Sequence, residues 1–244
     1  MEAAFLRPFP VRYDPALVRT AVVTGAASGI GAACAAALAA DGVAVAGLDL
    51  RPSVGCEVAL VADVADREAV ERELGRAERE LGPLEIAVSA AGYYERRPLL
   101  EIGVDAWRRM LAVHVLGTVN VLRPVVRGML ARRRGRVCTI ASELALVGEP
   151  QAAHYAAAKG AIVALSKSLA LEAAPRGVQV NCVAPGPTDT PLLVAEERHP
   201  AYLATLPLGR LVDPAEVAAT VRMLALDDHN LVGQVVSPNA GAVV

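Results

Sequence analysis

Aromatic residues are scarce: one Trp, five Tyr and two Phe make up 3% of 244 residues. So few rings offer little for base stacking, and a formal net charge of -2 gives no basic field for nucleic acid or an anionic membrane. The four cysteines, Cys34, Cys56, Cys138 and Cys182, are scattered without a C-x-x-C pair. That distribution fits buried reduced thiols and offers no metal site. No apolar run reaches the ~18 residues that cross a bilayer. The opening stretch, Met1 to Pro10, lacks the apolar core of a signal peptide. The expectation is a soluble cytoplasmic protein with no metal, no nucleic-acid partner and no membrane partner.

What is present is small and apolar. Ala, Val and Leu dominate a chain that is 54% hydrophobic, which suits close packing of helices on a sheet. The length fits one α/β domain. Residues 1–19, with Pro8, Pro10 and Pro15, read as an N-terminal arm, and 20–244 as a single domain. Strands are expected at Thr20–Thr24, Val43–Asp49, Val58–Val61, Leu84–Ser89, Arg136–Ala141, Val178–Ala184 and Gln234–Ser237. Between the second and third of them the link is too short for a crossover helix. Asp66 is placed to cap a charged helix that Gly82-Pro83 ends. A long helix is expected from about Val104 to Ala131, with Trp107, Met110, Leu111, Val115 and Leu122 on its buried stripe and a kink or division at Pro124. Residues 191–212, rich in proline and charge, read as a mobile flap.

Thr24-Gly25-Ala26-Ala27-Ser28-Gly29-Ile30-Gly31 joins the first strand to an Ala-rich helix. Three glycines there permit a tight turn and close backbone approach, and the free N–H groups of a helix start can meet a pyrophosphate. Asp49 ends the second strand, where a carboxylate can accept hydrogen bonds from an adenosine ribose diol. It would repel a 2′-phosphate, and so favours NAD over NADP. Arg51, two residues on, keeps the NADP alternative open.

Tyr155 and Lys159 are four residues apart on an expected helix to about Ala173, and therefore share a face. An ammonium beside a phenol favours the phenolate and is expected to lower the Tyr155 pKa from about 10. Ser142 lies at the carboxyl end of the fifth strand, and ligands of open α/β sheets bind outside those ends. Pro185-Gly186-Pro187-Thr188-Asp189-Thr190 follows the sixth strand on the same rim.

In this order and spacing, Thr24-Gly25-x-x-x-Gly29-x-Gly31, Asp49, Asp63-Val64, Ala91-Gly92, Ser142, Tyr155-x-x-x-Lys159 and Pro185-Gly186 with Thr190 resemble the short-chain dehydrogenase/reductase family over residues 20–241. The resemblance implies a Rossmann-like, doubly wound sheet of about seven parallel strands flanked by helices. It also implies a bound nicotinamide dinucleotide and a homodimer or homotetramer built on the long helices and the last helix–strand unit. Gly25, Ser28, Gly29, Ile30, Gly31, Asp49, Asp63, Val64, Ala91, Gly92, Pro185 and Gly186 would line the cofactor. Thr188 and Thr190 would anchor its carboxamide. Tyr155 would exchange a proton with the substrate oxygen, Lys159 would lower its pKa and hold the nicotinamide ribose, and Ser142 would bond the substrate oxygen.

The chain departs from the family pattern in places. His114 stands where the family usually has an Asn that links Lys159 to solvent through its backbone carbonyl, and His114 is expected to support that relay. Ser89 stands where Asn is common, and Asn239-Ala240-Gly241 replaces a Gly-Gly ending. The chain is also similar to 2,3-dihydro-2,3-dihydroxybenzoate dehydrogenases, which meet a carboxylate with an Arg. Glu149 stands at that place and points to a neutral or amine-bearing substrate. The function expected is NAD(H)-dependent interconversion of a secondary alcohol and a ketone. The alternatives are an NADPH-dependent 3-oxoacyl-carrier-protein reductase-like enzyme, a catalytically silent dinucleotide-binding sensor or scaffold, and a dehydratase or epimerase.

Overall fold

The computed structural model describes residues 19–243. Apart from Arg19, the expected N-terminal arm lies outside the described residues.

Thr20–Thr24 is buried throughout and forms β1. A short apolar run of this kind suits a parallel strand covered by helices on both faces. β2 (Ala44–Asp49) pairs on one side of it, with β3 (Val58–Val61) beyond. β4 (Ile86–Ser89) pairs on the other, followed by β5 (Gly135–Ile140), β6 (Val178–Val183) and β7 (Val235–Val236). The order is β3-β2-β1-β4-β5-β6-β7, and every pair is parallel. The chain winds outward from β1 in both directions, so its topological switch point lies between β1 and β4. There Thr24 is in register with Ser89, and Ser89 with Thr139.

α1 (Gly29–Ala40) packs on one face through Cys34, Ala35 and Leu38. α2 (Arg67–Leu81) covers the other face. Asp66 accepts from Ala69 N–H at its start, and only Ala69, Val70, Leu74 and Ala77 of its residues are buried. Each such Val or Leu contributes roughly 1.5–3 kcal/mol of burial. The charged remainder faces water, as the sequence suggests. No helix links β2 to β3, again as its length dictates.

α3 (Val104–Leu111) and α4 (Gly117–Arg132) form the long helix, with one correction to its expected shape. The interruption is a π-helical turn at Ala112–Leu116, while α4 runs through Pro124. A π turn rotates the buried stripe by about one residue. Leu111 is therefore exposed and Val115 half-buried, while His114, Gly117 and Thr118 turn inward.

α5 (Leu144–Val147) is one turn after Ser142. α6 (Ala153–Ala173) packs beside α4 on the α2 face, and a 3-10 turn at Ala174–Arg176 follows it, closed by Gly177 in a left-handed conformation. The 191–212 segment carries a 3-10 turn at Ala195–Arg198 and α7 (Pro200–Leu203). Arg198 fastens it by bonding the Asp189 carboxylate and the carbonyls of Leu193 and Thr190. α8 (Pro214–Leu226) begins with a full capping box between Asp213 and Glu216 and returns to the face of α1.

Candidate active site

At the carboxyl ends of β1 and β4 the two loops are tied together by one side chain. Thr24 Oγ1 accepts from the N–H groups of both Ala90 and Ala91, each at 3.0 Å. Gly25 sits there at φ +69°, and a Cβ on it would stand 3.0 Å from Ala91 Cα. Gly31 fits under the loop for a different reason, since a Cβ there would lie 2.2 Å from the Gly25 carbonyl oxygen. The N-cap Ser28 makes no side-chain bond to the first turn of α1, so the helix start stays open toward the cleft. Asp49 stands beside this loop, its Oδ2 accepting from Ala27 N–H at 3.1 Å and its Oδ1 from Arg51 N–H at 3.2 Å.

Gly25, Ser28, Gly29, Asp49, Asp63, Val64 and Ala91 line one cleft. Ser142, Tyr155, Lys159, His114, Glu149, Pro185, Gly186 and Thr188 line a second. Ile30, Gly92 and Thr190 belong to both, so the two form one trough across the rim. The structure thus brings together every expected site residue except Gly31, which supports the glycine loop from beneath.

Ser142 is buried just beyond β5, where its Oγ accepts from Leu144 N–H at 3.2 Å and donates to Glu143 Oε2 at 2.9 Å. Lys159 is buried and its Nζ donates to the Ile140 carbonyl at 2.9 Å. The ammonium lies 5.6 Å from the centre of the Tyr155 ring. Burial pushes the Lys159 pKa down to about 8.

The expected lowering of the Tyr155 pKa is corrected. Burial, then the carboxylates of Glu143 and Glu197, push it up, and only the nearby Ser142 hydroxyl works the other way. Tyr155 is half-buried in the trough wall, and desolvation outweighs the ammonium. Tyr155 is a phenol in the chain alone.

A family model described as enoyl-(acyl carrier protein) reductase matches residues 25–242. The chain is 37% identical over 238 residues to a cis-4-hydroxycyclohexanecarboxylate dehydrogenase of Sinomonas cyclohexanicum, covering 91% of this chain and 96% of that one. It is 33% identical to the 3-oxoacyl-(acyl-carrier-protein) reductase of Salmonella typhimurium, again over 91% and 96% of the two chains. To the reductase of the same description from Thermotoga maritima it is 30% identical, over 93% and 98%. The chain belongs to the short-chain dehydrogenase/reductase family.

Short-chain dehydrogenases/reductases use a nicotinamide dinucleotide, and the residues present here fit one. The glycine loop leaves no room for side chains where a pyrophosphate would lie, and α1 offers an uncapped N-terminus beside it. Asp49 stands at the end of β2, where a carboxylate would meet an adenosine ribose.

His114 does not titrate near neutrality. Burial first, and the nearby Lys159 second, push its pKa down to about 3, so the ring is neutral at physiological pH. Its Nε2 meets the Tyr93 backbone carbonyl at 2.9 Å, and Nδ1 is buried without a partner among the described residues. The His114 carbonyl accepts from Thr118 Oγ1 at 2.7 Å, and Thr118 in turn bonds Ser89 Oγ at 2.9 Å. Ser89 therefore anchors the π turn as well as its own strand.

Glu149 faces the trough, but its charge is answered. Tyr94 donates to its Oε2 at 2.7 Å, and Arg96 lies 3.4 Å from Oε1. Arg96 also reaches Glu197 at 3.6 Å. Sequence reasoning missed Glu143, Tyr94, Arg96 and Glu197. Glu143 carried a signal, as an acid directly after Ser142; Tyr94 and Arg96 reach the site from a loop and Glu197 from a short 3-10 turn, with no period to read.

Proposed function

We propose that the chain is an NAD(H)-dependent oxidoreductase that interconverts a secondary alcohol and a ketone. The observation that carries this reading is the single trough in which Ser142, Tyr155 and Lys159 stand next to the glycine loop and Asp49. The dinucleotide, when bound, supplies or accepts the hydride. Tyr155 holds the proton for the substrate oxygen as general acid in reduction and takes one as general base in oxidation. Ser142 orients that oxygen and supports its developing charge. Lys159 holds the nicotinamide ribose and keeps a positive charge beside the phenol. Thr188 and Thr190, with Pro185 and Gly186, position the carboxamide end.

Asp49 favours NAD over NADP, because a carboxylate at that place repels a 2′-phosphate. Glu143, Glu149 and Glu197 line the trough, and Arg96 pairs with Glu149 and Glu197; this balance favours a neutral or amine-bearing substrate over an acidic one. Residues 191–212 act as the substrate flap. The four free cysteines suit a reducing cytoplasm. α4, α6 and the α8–β7 unit are the surfaces through which a homodimer or homotetramer would form. The second reading, a 3-oxoacyl-carrier-protein reductase using NADPH, is favoured by the relatives of that description and opposed by Asp49.

The test incubates the protein with NAD or NADP and a panel of secondary alcohols, amine-bearing and acidic ones included, while following reduced-cofactor absorbance. Turnover with NAD and neutral or amine-bearing alcohols is expected. Strong preference for NADP with oxoacyl substrates would replace the first reading by the second. Tight NAD binding without any turnover would leave a silent dinucleotide-binding protein.

A further inference from the structure

We propose that Glu143 contacts the substrate directly and selects alcohols or ketones that carry a second hydrogen-bond donor, a hydroxyl or an ammonium, on the carbon next to the reacting one. The inference rests on the oxidoreductase reading above and narrows its substrate class.

The Ser142 hydroxyl has a single hydrogen to give. In the chain alone its Oγ accepts from Leu144 N–H at 3.2 Å and gives that hydrogen to Glu143 Oε2 at 2.9 Å. A substrate oxygen held by Ser142 takes the hydrogen over. Glu143 then loses the one side-chain donor it has among the described residues. The residue is 8% exposed, so little water can replace that donor. A buried acceptor left unsatisfied opposes binding. A donor on the ligand restores the bond that the ligand itself removes.

Arg96 lies 3.4 Å from Glu149 and 3.6 Å from Glu197, and among the described residues no cation pairs with Glu143. Tyr94 also donates to Glu149. The chain thus engages the other two acids of the trough and leaves Glu143 for a ligand. Its place is fixed, because its backbone N–H bonds the Pro185 carbonyl at 3.0 Å and its own carbonyl accepts from Leu146 N–H at 2.8 Å. Burial first, with the charges of Glu149 and Glu197 behind it, pushes this carboxyl up to about 7, against the Ser142 bond that lowers it. In either form it keeps an oxygen that accepts.

The spacing points to adjacent carbons. Ser142 Oγ and Glu143 Oε2 stand one hydrogen-bond length apart. Two gauche groups on neighbouring carbons are separated by a similar length. One oxygen can therefore meet Ser142 while the second donor meets Glu143. Leu144, Leu192 and Leu193 line the same trough and offer apolar contact to hydrocarbon beyond the pair. The class is a vicinal diol or vicinal amino alcohol with an apolar body, or the matching hydroxy or amino ketone.

The experiment measures kcat/KM of the full chain, with whichever of NAD and NADP it uses, for butan-2-ol and cyclohexanol and for the vicinal hydroxy, amino and methoxy derivative of each. The diols and amino alcohols are expected to exceed the plain alcohols and methyl ethers roughly 10- to 100-fold, the worth of a hydrogen bond to a charged acceptor. Glu143→Leu, which has no acceptor, should bring both ratios close to unity. Glu143→Gln keeps an acceptor oxygen without the charge, and should lose more of the amino-alcohol ratio than of the diol ratio. Glu149→Gln should keep both, since Tyr94 and Arg96 already occupy that carboxylate. Wild-type ratios near unity overturn the proposal, as do ratios that survive Glu143→Leu or collapse in Glu149→Gln. Should Glu143→Leu melt early, the wild-type ratios and Glu143→Gln carry the same decision. If neither these alcohols nor the wider panel turn over with either cofactor, the oxidoreductase reading itself fails.

Discussion

The imidazole of His114 stands edge-on to the phenol ring of Tyr155, with centroids 5.5 Å apart and planes at 89°. A neutral ring in that place packs against Tyr155; a charged one would be buried without an anion. In the unfolded chain His114 titrates near 6.5, and in the folded chain near 3. The unfolded state therefore binds the extra proton between those values, and His114 removes stability as pH falls through that window. The loss should approach about 1.4 kcal/mol per pH unit from this residue. Denaturant titrations at pH 4 and 7 should show a smaller difference for His114→Asn than for the wild type. The same variant should leave the pH–rate profile between 6 and 9 in place, since His114 is neutral throughout; a shifted limb would show that the imidazole takes part.

Tyr155→Phe removes the group that exchanges a proton with the substrate. Turnover should fall by about 10²–10⁴-fold. NAD affinity, followed by fluorescence quenching or calorimetry, should change little. Retained turnover would remove Tyr155 from the chemistry.

Asp49→Ser removes the carboxylate at the end of β2 along with its bond to Ala27 N–H. Hydrogen bonds to a charged acceptor are worth about 1.5–3 kcal/mol, so the ratio of kcat/KM with NAD to that with NADP should fall roughly 10- to 100-fold. An unchanged ratio would mean that the choice of cofactor is made elsewhere.

Gly92 and His114 are coupled by contact. A Cβ at Gly92 would lie 2.4 Å from His114 Cε1. Gly92→Ala should cost roughly 1–3 kcal/mol in the wild type, as overpacking does, and markedly less beside His114→Ala. A double-mutant cycle by thermal or chemical unfolding measures the difference. Additive effects would show that the backbone yields instead.

The sheet and the glycine loop were legible because their signals are local. Thr20–Thr24 is apolar, Gly25 needs its left-handed turn, and Asp213-Pro214 announces a helix start that Glu216 completes. The π turn was not legible. Its consequence, a buried His114 and an exposed Leu111, depends on how α3 and α4 seat on the sheet rather than on either period alone. The state of Tyr155 was hidden for a related reason. A four-residue spacing shows that Lys159 is near, but the burial and the two acids that outweigh it come from β5, the 3-10 turn and the loops. Arg96, Glu149 and Glu197 likewise meet only through the folded chain.

Thr24 decides one further matter. Because its hydroxyl holds Ala90 and Ala91 against the glycine loop, the floor of the trough is a single hydrogen-bonded piece that spans two neighbouring strands. Its width is set by the spacing of β1 and β4, which no loop substitution alters. Divergence in what the trough admits is left to its rim, where Leu50, Asp63 and Leu192 stand in solvent and can be exchanged without disturbing the sheet.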